Sequence, residues 1–144
     1  MPFERTLVIM KPSIIKRGIE SELFLWYRQT GLNIADVRII HPNIRWWKDF
    51  YREHRKKSFF PKLIKFMTSG ISLALVMEGE NAVQAIRTLN GATDPKEAAE
   101  KTIRATFASD GKLPDNAVHG SANVKDAKRE LDLIRQHRSY THVR

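Results

Sequence analysis

The sequence predicts a mixed fold of the α/β (α+β) class, and three features predict it. Apolar runs of strand type alternate with stretches of helical periodicity along the whole chain. Two of the runs, Thr6-Leu-Val-Ile-Met10 and residues 71–77, are almost unbroken, as strands covered on both faces are. Turn-forming positions such as Lys11-Pro12, Gly31 and Asn90-Gly91 punctuate the sequence between runs.

Taken in order, Thr6–Met10 reads as a buried strand, and Lys11-Pro12 ends it because proline cannot continue a ladder. Over residues 18–29, Ile19, Leu23, Trp26 and Tyr27 recur at helical spacing, with Gly31 as the expected C-cap. Residues 32–40 are β-rich, and a change of parity between Ile34 and Val37 predicts a bulge near Asp36. Asn43 is placed to cap a helix running to about residue 57, with Ile44, Trp47, Tyr51 and His54 on its inner stripe. Phe59-Phe60-Pro61 interrupts that helix, and Leu63, Phe66 and Met67 predict another helical turn or two. Residues 71–77 read as a central strand. Ala82, Val83, Ala85, Ile86 and Leu89 then define a helix stopped by Asn90-Gly91. Residues 92–114 show little regular pattern, and a loop of that length in a compact domain is often functional. Val118-His119 fits a short last strand. Val124, Ala127, Leu131 and Ile134 mark a final helix, and residues 135–144 form a basic tail expected to be mobile. Pattern alone leaves an antiparallel ferredoxin-like sheet and a doubly wound parallel sheet both open.

The 144 residues, 42% of them hydrophobic, suffice for one domain over 1–144 with a core of its own. There is no cysteine, which excludes disulfides and thiolate zinc sites. No apolar run approaches the roughly 20 residues of a membrane span, and the start of the chain lacks a signal-peptide pattern. A cytoplasmic protein without membrane contact is expected. The net charge of +9, from 25 basic and 16 acidic residues, attracts phosphate in any form: nucleotide, nucleic acid or anionic lipid. A well-solvated surface explains the same charge.

No P-loop, GxGxxG, HExxH or GxSxG occurs, so phosphate chemistry here would rest on basic residues, hydroxyls and histidine. Of the five histidines, His41, His54, His137 and His142 fit structural or solvent roles. His119 differs through its neighbours in Asn116-Ala-Val-His-Gly-Ser121. A neutral imidazole is a good nucleophile near neutral pH. Gly120 permits close approach, and Ser121 or Asn123 can cap the following helix. Glu130 on that helix can engage one ring nitrogen and leave the other free. A turn histidine is the competing reading. Lys11 at a strand end, with Arg87 and Arg104, can clamp a polyphosphate, although lone arginines are usually solvated. Phe59 can stack on a base, but residue type alone favours core packing for it.

With these residues in hand, the chain resembles the nucleoside diphosphate kinases over residues 4–133. The matching segments are Glu4-Arg-Thr-Leu-Val-Ile-Met-Lys-Pro12, Arg17-Gly18, Phe59-Phe-Pro-Lys-Leu-Ile-Lys-Phe-Met67, Ser69-Gly70, Met77-Glu-Gly79, Gly91-Ala-Thr-Asp-Pro95, Thr102-Ile-Arg104 and Asn116-Ala-Val-His-Gly-Ser121. The resemblance implies a ferredoxin-like sandwich with a four-stranded antiparallel sheet. It implies ping-pong transfer of a γ-phosphate through a phosphohistidine on His119, oriented by Glu130. It assigns phosphate and sugar contacts to Lys11, Arg87, Thr93, Arg104 and Asn116, base stacking to Phe59 beside Leu63, and a place near the nucleophile to Tyr51. Mg²⁺ held mainly by the nucleotide is implied, with no protein metal site. So is a homo-oligomer, most often a hexamer, with tetramer or dimer as alternatives. A weakly active, basic nucleic-acid-binding member of the family is the alternative function. Departures are Ser13, Thr106 and Ala122 where the family usually has aspartate, Glu100-Lys101 where it has Pro-Gly, and Ile71 where it has proline. The segment between Arg104 and Asn116 is also longer. Local order around Ala122 and assembly near Glu100-Lys101 are the properties these departures put in question.

Overall fold

The structure is a computed structural model that describes residues 2–108, 112–137 and 140–142, the last three by backbone only. The elements run β1 (Phe3–Met10), α1 (Pro12–Arg17), α2 (Glu20–Arg28), β2 (Asn33–Ile40), α3 (Ile44–Phe50), α4 (Phe60–Met67), β3 (Ser72–Glu80), α5 (Ala82–Asn90), α6 (Ile103–Phe107), β4 (Val118–Gly120), α7 (Val124–Gln136) and β5 (Tyr140–His142). Short 3₁₀ turns occupy Arg52–His54 and Pro95–Glu97.

The sheet order is β4-β1-β3-β2-β5, and every pairing is antiparallel. This settles the question that pattern left open. β1 and β3 lie at the centre, which is why both read as unbroken apolar runs. Their alternate residues feed two cores. Leu7, Ile9 and Ala74 pack with α3, α4 and α7 around Trp47 and Phe50. Val8, Met10, Leu75 and Met77 pack on the other face with Leu23, Tyr27, Ile86 and Ile103. The expected bulge is present: the register of β2 on β3 shifts between Ile34 and Asp36.

The expected four-stranded antiparallel sheet gains a fifth strand, because residues 140–142 pair with Arg38–Ile40 of β2. Part of the basic tail expected over 135–144 is regular structure: α7 runs through Gln136, and Tyr140–His142 cover part of an otherwise open edge. Residues 138, 139, 143 and 144 of that tail lie outside the described residues.

Other boundaries moved for local reasons. Pro12 does end β1, but it also opens α1, since the first helical position needs no amide donor. Gly18, at φ 67°, caps α1, so the helix expected over 18–29 begins at Glu20. Gln29 rather than Gly31 is its C-cap. Asn43 caps α3 as expected, accepting the Trp46 amide at 2.9 Å, a bond that contributes about 1 kcal/mol. The helix stops at Phe50 instead of reaching residue 57, which removes His54 from the packing stripe. Ile44 and Val124, expected to face inward, are exposed. α6 was not visible in the sequence because five residues carry no period; the Thr102 hydroxyl caps it by accepting from Ala105.

Candidate active site

Edge strand β4 places His119 directly opposite Ile9 of β1, on the sheet face covered by α3 and α7. Three local features aim its ring. The Val118 amide donates to Asn116 O at 2.9 Å across a γ-turn whose centre, Ala117, takes φ 75°. Such a turn is rare and strained for a residue with a side chain. Lys11 N–H donates to Ala117 O at 2.9 Å and holds the turn against the end of β1. Gly120 completes it: a Cβ there would meet Asn90 Nδ2 at 2.6 Å and Ile86 at 3.4 Å, so only glycine allows this approach.

His119 Nε2 lies 2.8 Å from Glu130 Oε1. The ionised carboxylate accepts, so the ring proton sits on Nε2 and the Nδ1 lone pair is left over. Glu130 is itself fixed by the Ser121 hydroxyl, which donates to the same oxygen at 2.8 Å. Burial alone would raise the Glu130 carboxyl. The His119 ring, by charge and hydrogen bond, then Ser121 and Arg129, outweigh burial and hold it below its ordinary value. The rings of Phe50 and Tyr51 stand edge-on to the imidazole at 5.2 and 6.2 Å. Tyr51 is buried, burial first and Glu130 second raise its phenol, and its hydroxyl has no partner among the described residues.

A cleft of about 770 Å³ opens in front of His119. Lys11, Tyr51, Phe59, Leu63, Arg87, Thr93, Arg104, Asn116 and Glu130 all line it, so every site residue expected from the sequence converges on one cavity. Lys11 Nζ donates to Asn116 Oδ1 at 2.7 Å and to Pro114 O at 3.1 Å. Asn116 in turn donates to Thr93 O at 2.9 Å, which ties the loop after α5 to the end of β1. Arg104 donates to Gly91 O at 2.7 Å and Val118 O at 3.0 Å, and its buried Nε has no partner among the described residues. Arg87 donates to Ala122 O at 3.2 Å. At the cleft, Phe59 is 47% exposed, whereas Leu63 is buried. The core packing that residue type favoured for Phe59 is thus corrected: it starts α4 at the surface instead of continuing a helix.

The Lys11 ammonium is pushed down to about 7, by burial first and by Arg104 second, with Asp115 opposing them. An anion bound in the cleft would stabilise the charged form and raise that value. Above neutral pH, ligand binding should therefore take up a proton, and affinity should fall as pH rises through about 7. Calorimetry of pyrophosphate binding near pH 8.5, in two buffers of different ionisation enthalpy, should show uptake of up to about one proton per site. Identical heats in both buffers would refute this.

The family model described as nucleoside diphosphate kinase matches residues 4–139. A nucleoside diphosphate kinase of Anaplasma phagocytophilum is 44% identical over 128 residues, 89% of this chain and 90% of the relative. That of Pasteurella multocida is 44% identical over 131 residues, 91% of this chain and 93% of the relative. The chain belongs to the nucleoside diphosphate kinase family. Among solved structures, the Aquifex aeolicus enzyme superposes with a TM-score of 0.87 at 34% identity, covering 92% of this chain and 95% of that one. The Halobacterium salinarum enzyme, solved in complex with CDP, gives 0.88 at 31%, covering 99% and 94%. Like the relatives that carry this name, the chain is a phosphotransferase.

Two of the departures from the family pattern, Ser13 and Ala122, lie beside defined hydrogen bonds. Ser13 donates to Asp115 Oδ1 at 2.7 Å, and Ala122 precedes a helix firmly capped by Asn123, which accepts the Asp126 amide at 2.8 Å. Ser121, read from the sequence as a possible cap, does something else. Fully buried, it accepts the Leu7 amide at 3.1 Å and fixes Glu130. His54, set aside as structural, lines the cleft with its ring 5.4 Å from Phe59. Neither role had a sequence signal, because each rests on a contact between distant segments. The nucleic-acid-binding alternative draws no support from these comparisons. Among the described residues no helix is long and apolar enough to cross a membrane.

Proposed function

We propose that the chain transfers the γ-phosphate of a nucleoside triphosphate to a nucleoside diphosphate by a ping-pong mechanism through phosphorylated His119. The observation that carries this is the Glu130–His119 hydrogen bond at the base of the cleft, which commits Nε2 and leaves Nδ1 as nucleophile. In the first half-reaction the Nδ1 lone pair attacks the γ-phosphorus. The bond to the β,γ-bridging oxygen breaks, and the diphosphate leaves with that electron pair. The second half-reaction is the reverse, with a different diphosphate as acceptor. One site serves both halves.

Phosphoryl transfer passes through a loose transition state, so positioning and charge stabilisation do most of the catalytic work. Lys11, Arg87 and Arg104 supply the cations. Tyr51 Oη and Arg104 Nε are buried donors without partners among the described residues, a cost of about 1–3 kcal/mol each that phosphate oxygens can remove. Asn116 and Thr93 complete the phosphate and sugar contacts. Phe59, half-exposed at the cleft, offers a flat apolar face that stacks on any base without reading its edges, which makes the enzyme broadly specific. Among the described residues no group of three His, Asp or Glu side chains forms a metal cage. A Mg²⁺ ion held mainly by the nucleotide's phosphates and water is part of the proposal. It would neutralise phosphate charge and orient the oxygens. A single domain over 1–144, working in the cytoplasm as a homo-oligomer and most often a hexamer in this family, belongs to the same proposal. Sedimentation at the mass of one chain would remove the oligomer.

The test is direct. Protein mixed with γ-labelled ATP and Mg²⁺ should take up about one phosphate per chain as an acid-labile, base-stable adduct. Added GDP, CDP or UDP should discharge it into the corresponding triphosphate. A well-folded, nucleotide-binding protein that never acquires label would overturn the proposal.

A further inference from the structure

Adjacent residues of α7 point at two different parts of the site. Glu130 reaches inward to His119, and Arg129 reaches sideways to the end of α3. The Arg129 guanidinium donates from Nη2 to Asp49 O at 2.6 Å and to Phe50 O at 3.3 Å, and from Nη1 to Phe50 O at 3.2 Å. These are among the last carbonyls of α3, which a helix end leaves without downstream amides. A guanidinium suits them because its planar fork serves two acceptors at once and its charge complements the negative end of the helix.

The residues so anchored are the aromatic walls of the nucleophile. Phe50 and Tyr51 stand edge-on to His119 from α3 and from its C-cap. Trp46 and Trp47 of the preceding turn stack on Phe50 and Tyr51. Beyond Tyr51, however, the chain leaves the helix for the Arg52–His54 turn, so the end of α3 is tied down by Arg129 rather than by a further turn. Glu130 fixes the imidazole by one nitrogen, and a single hydrogen bond lets a ring swing about its axis. Contacts on its faces and edges restrict that swing. Arg129 also lies close enough to Glu130 to favour its carboxylate form.

We propose that Arg129 is a positioning residue for phosphoryl transfer: by clamping the Asp49 and Phe50 carbonyls it locks Phe50 and Tyr51 against His119 and so sets the attack angle of Nδ1. This rests on the assignment of His119 as nucleophile. The lock joins two elements far apart in sequence through one side chain, and Arg129 itself stands outside the lining of the cleft. The step it serves is geometrically demanding, because in-line attack loses rate steeply when the reacting atom is displaced by about 1 Å.

Arg129→Met keeps the length and apolar stem of the side chain and removes all three hydrogen bonds. The expected result is a folded protein that binds ADP within about twofold of the parent, while single-turnover phosphorylation by γ-labelled ATP slows about 10- to 100-fold. Arg129→Lys, which retains one charge and can reach one carbonyl, should recover part of that loss with the same ADP affinity. The second readout needs no turnover: ¹⁵N chemical shifts of the His119 ring should report a changed Nε2–H environment in Arg129→Met, moving back toward the parent in Arg129→Lys. An unchanged phosphorylation rate together with unchanged ring shifts would overturn the proposal. So would a rate loss matched by an equal loss of ADP affinity in both variants, since that is the behaviour of a structural residue. Failure of the parent protein to label would count against the nucleophile instead, and the ring shifts would still test the clamp.

Discussion

His119→Ala should abolish phosphoryl exchange, with turnover falling by at least about 10⁴-fold and no acid-labile label appearing on the protein. The size follows from the position of the residue in the reaction. A mechanism with a covalent intermediate has no alternative route once the attacking atom is gone, and binding groups alone cannot restore it. Structure should survive the change. His119 is only partly buried on an edge strand, and the γ-turn before it is held by main-chain bonds. Glu130 keeps its bond to Ser121. ADP binding should therefore stay within a few-fold of the parent, and ADP titration beside a thermal melt will show whether it does. Turnover retained in the variant would remove His119 from its assigned role.

Arg104→Ala should have the second largest effect, a fall in kcat/KM of about 10²–10³-fold, or roughly 3–4 kcal/mol of transition-state stabilisation. Arg104 is placed to act twice. It donates to Gly91 O and Val118 O, so it braces the strand that carries His119 against the loop that carries Thr93. Its buried Nε has no partner among the described residues, and in the proposed reaction it donates to a phosphate oxygen. Burial lowers its guanidinium from the ordinary value, yet from a starting point so high that it stays charged throughout the working range. Some loss of thermal stability should accompany the substitution, because two partly buried carbonyls lose their donor. Arg104→Lys separates the two effects: it keeps the charge, lacks the fork, and should regain only part of the activity. Steady-state kinetics unchanged in Arg104→Ala would refute the clamp.

Much of the site was legible because its residues are marked locally. His119 is followed by a glycine and preceded by a turn, Lys11 stands at the end of an apolar run, and Glu130 falls on the inner side of a periodic helix. The bulge in β2 and the Asn43 cap were legible for the same reason: each depends on residues within a few positions. What failed did so by a common cause. Phe59 looked like core because aromatic residues usually are core, and only the path of α4 brings it to the surface. His54 looked like packing because the helix was read past Phe50, where the chain turns. Ser121 looked like a cap, whereas its hydroxyl is taken by Leu7 on one side and Glu130 on the other.

The sequence by itself determined the alternation of strands and helices, the two-sided burial of β1 and β3, the absence of cysteine chemistry and the identity of the residues that could act on phosphate. These follow from side-chain type and spacing, which are local properties of the chain. Tertiary structure alone decided the antiparallel strand order, the convergence of Lys11, Arg87, Arg104 and Asn116 on the cleft before His119, and the clamp between Arg129 and the end of α3. Each of these joins segments tens of residues apart, and such contacts form only when burying both faces of the sheet holds those segments together.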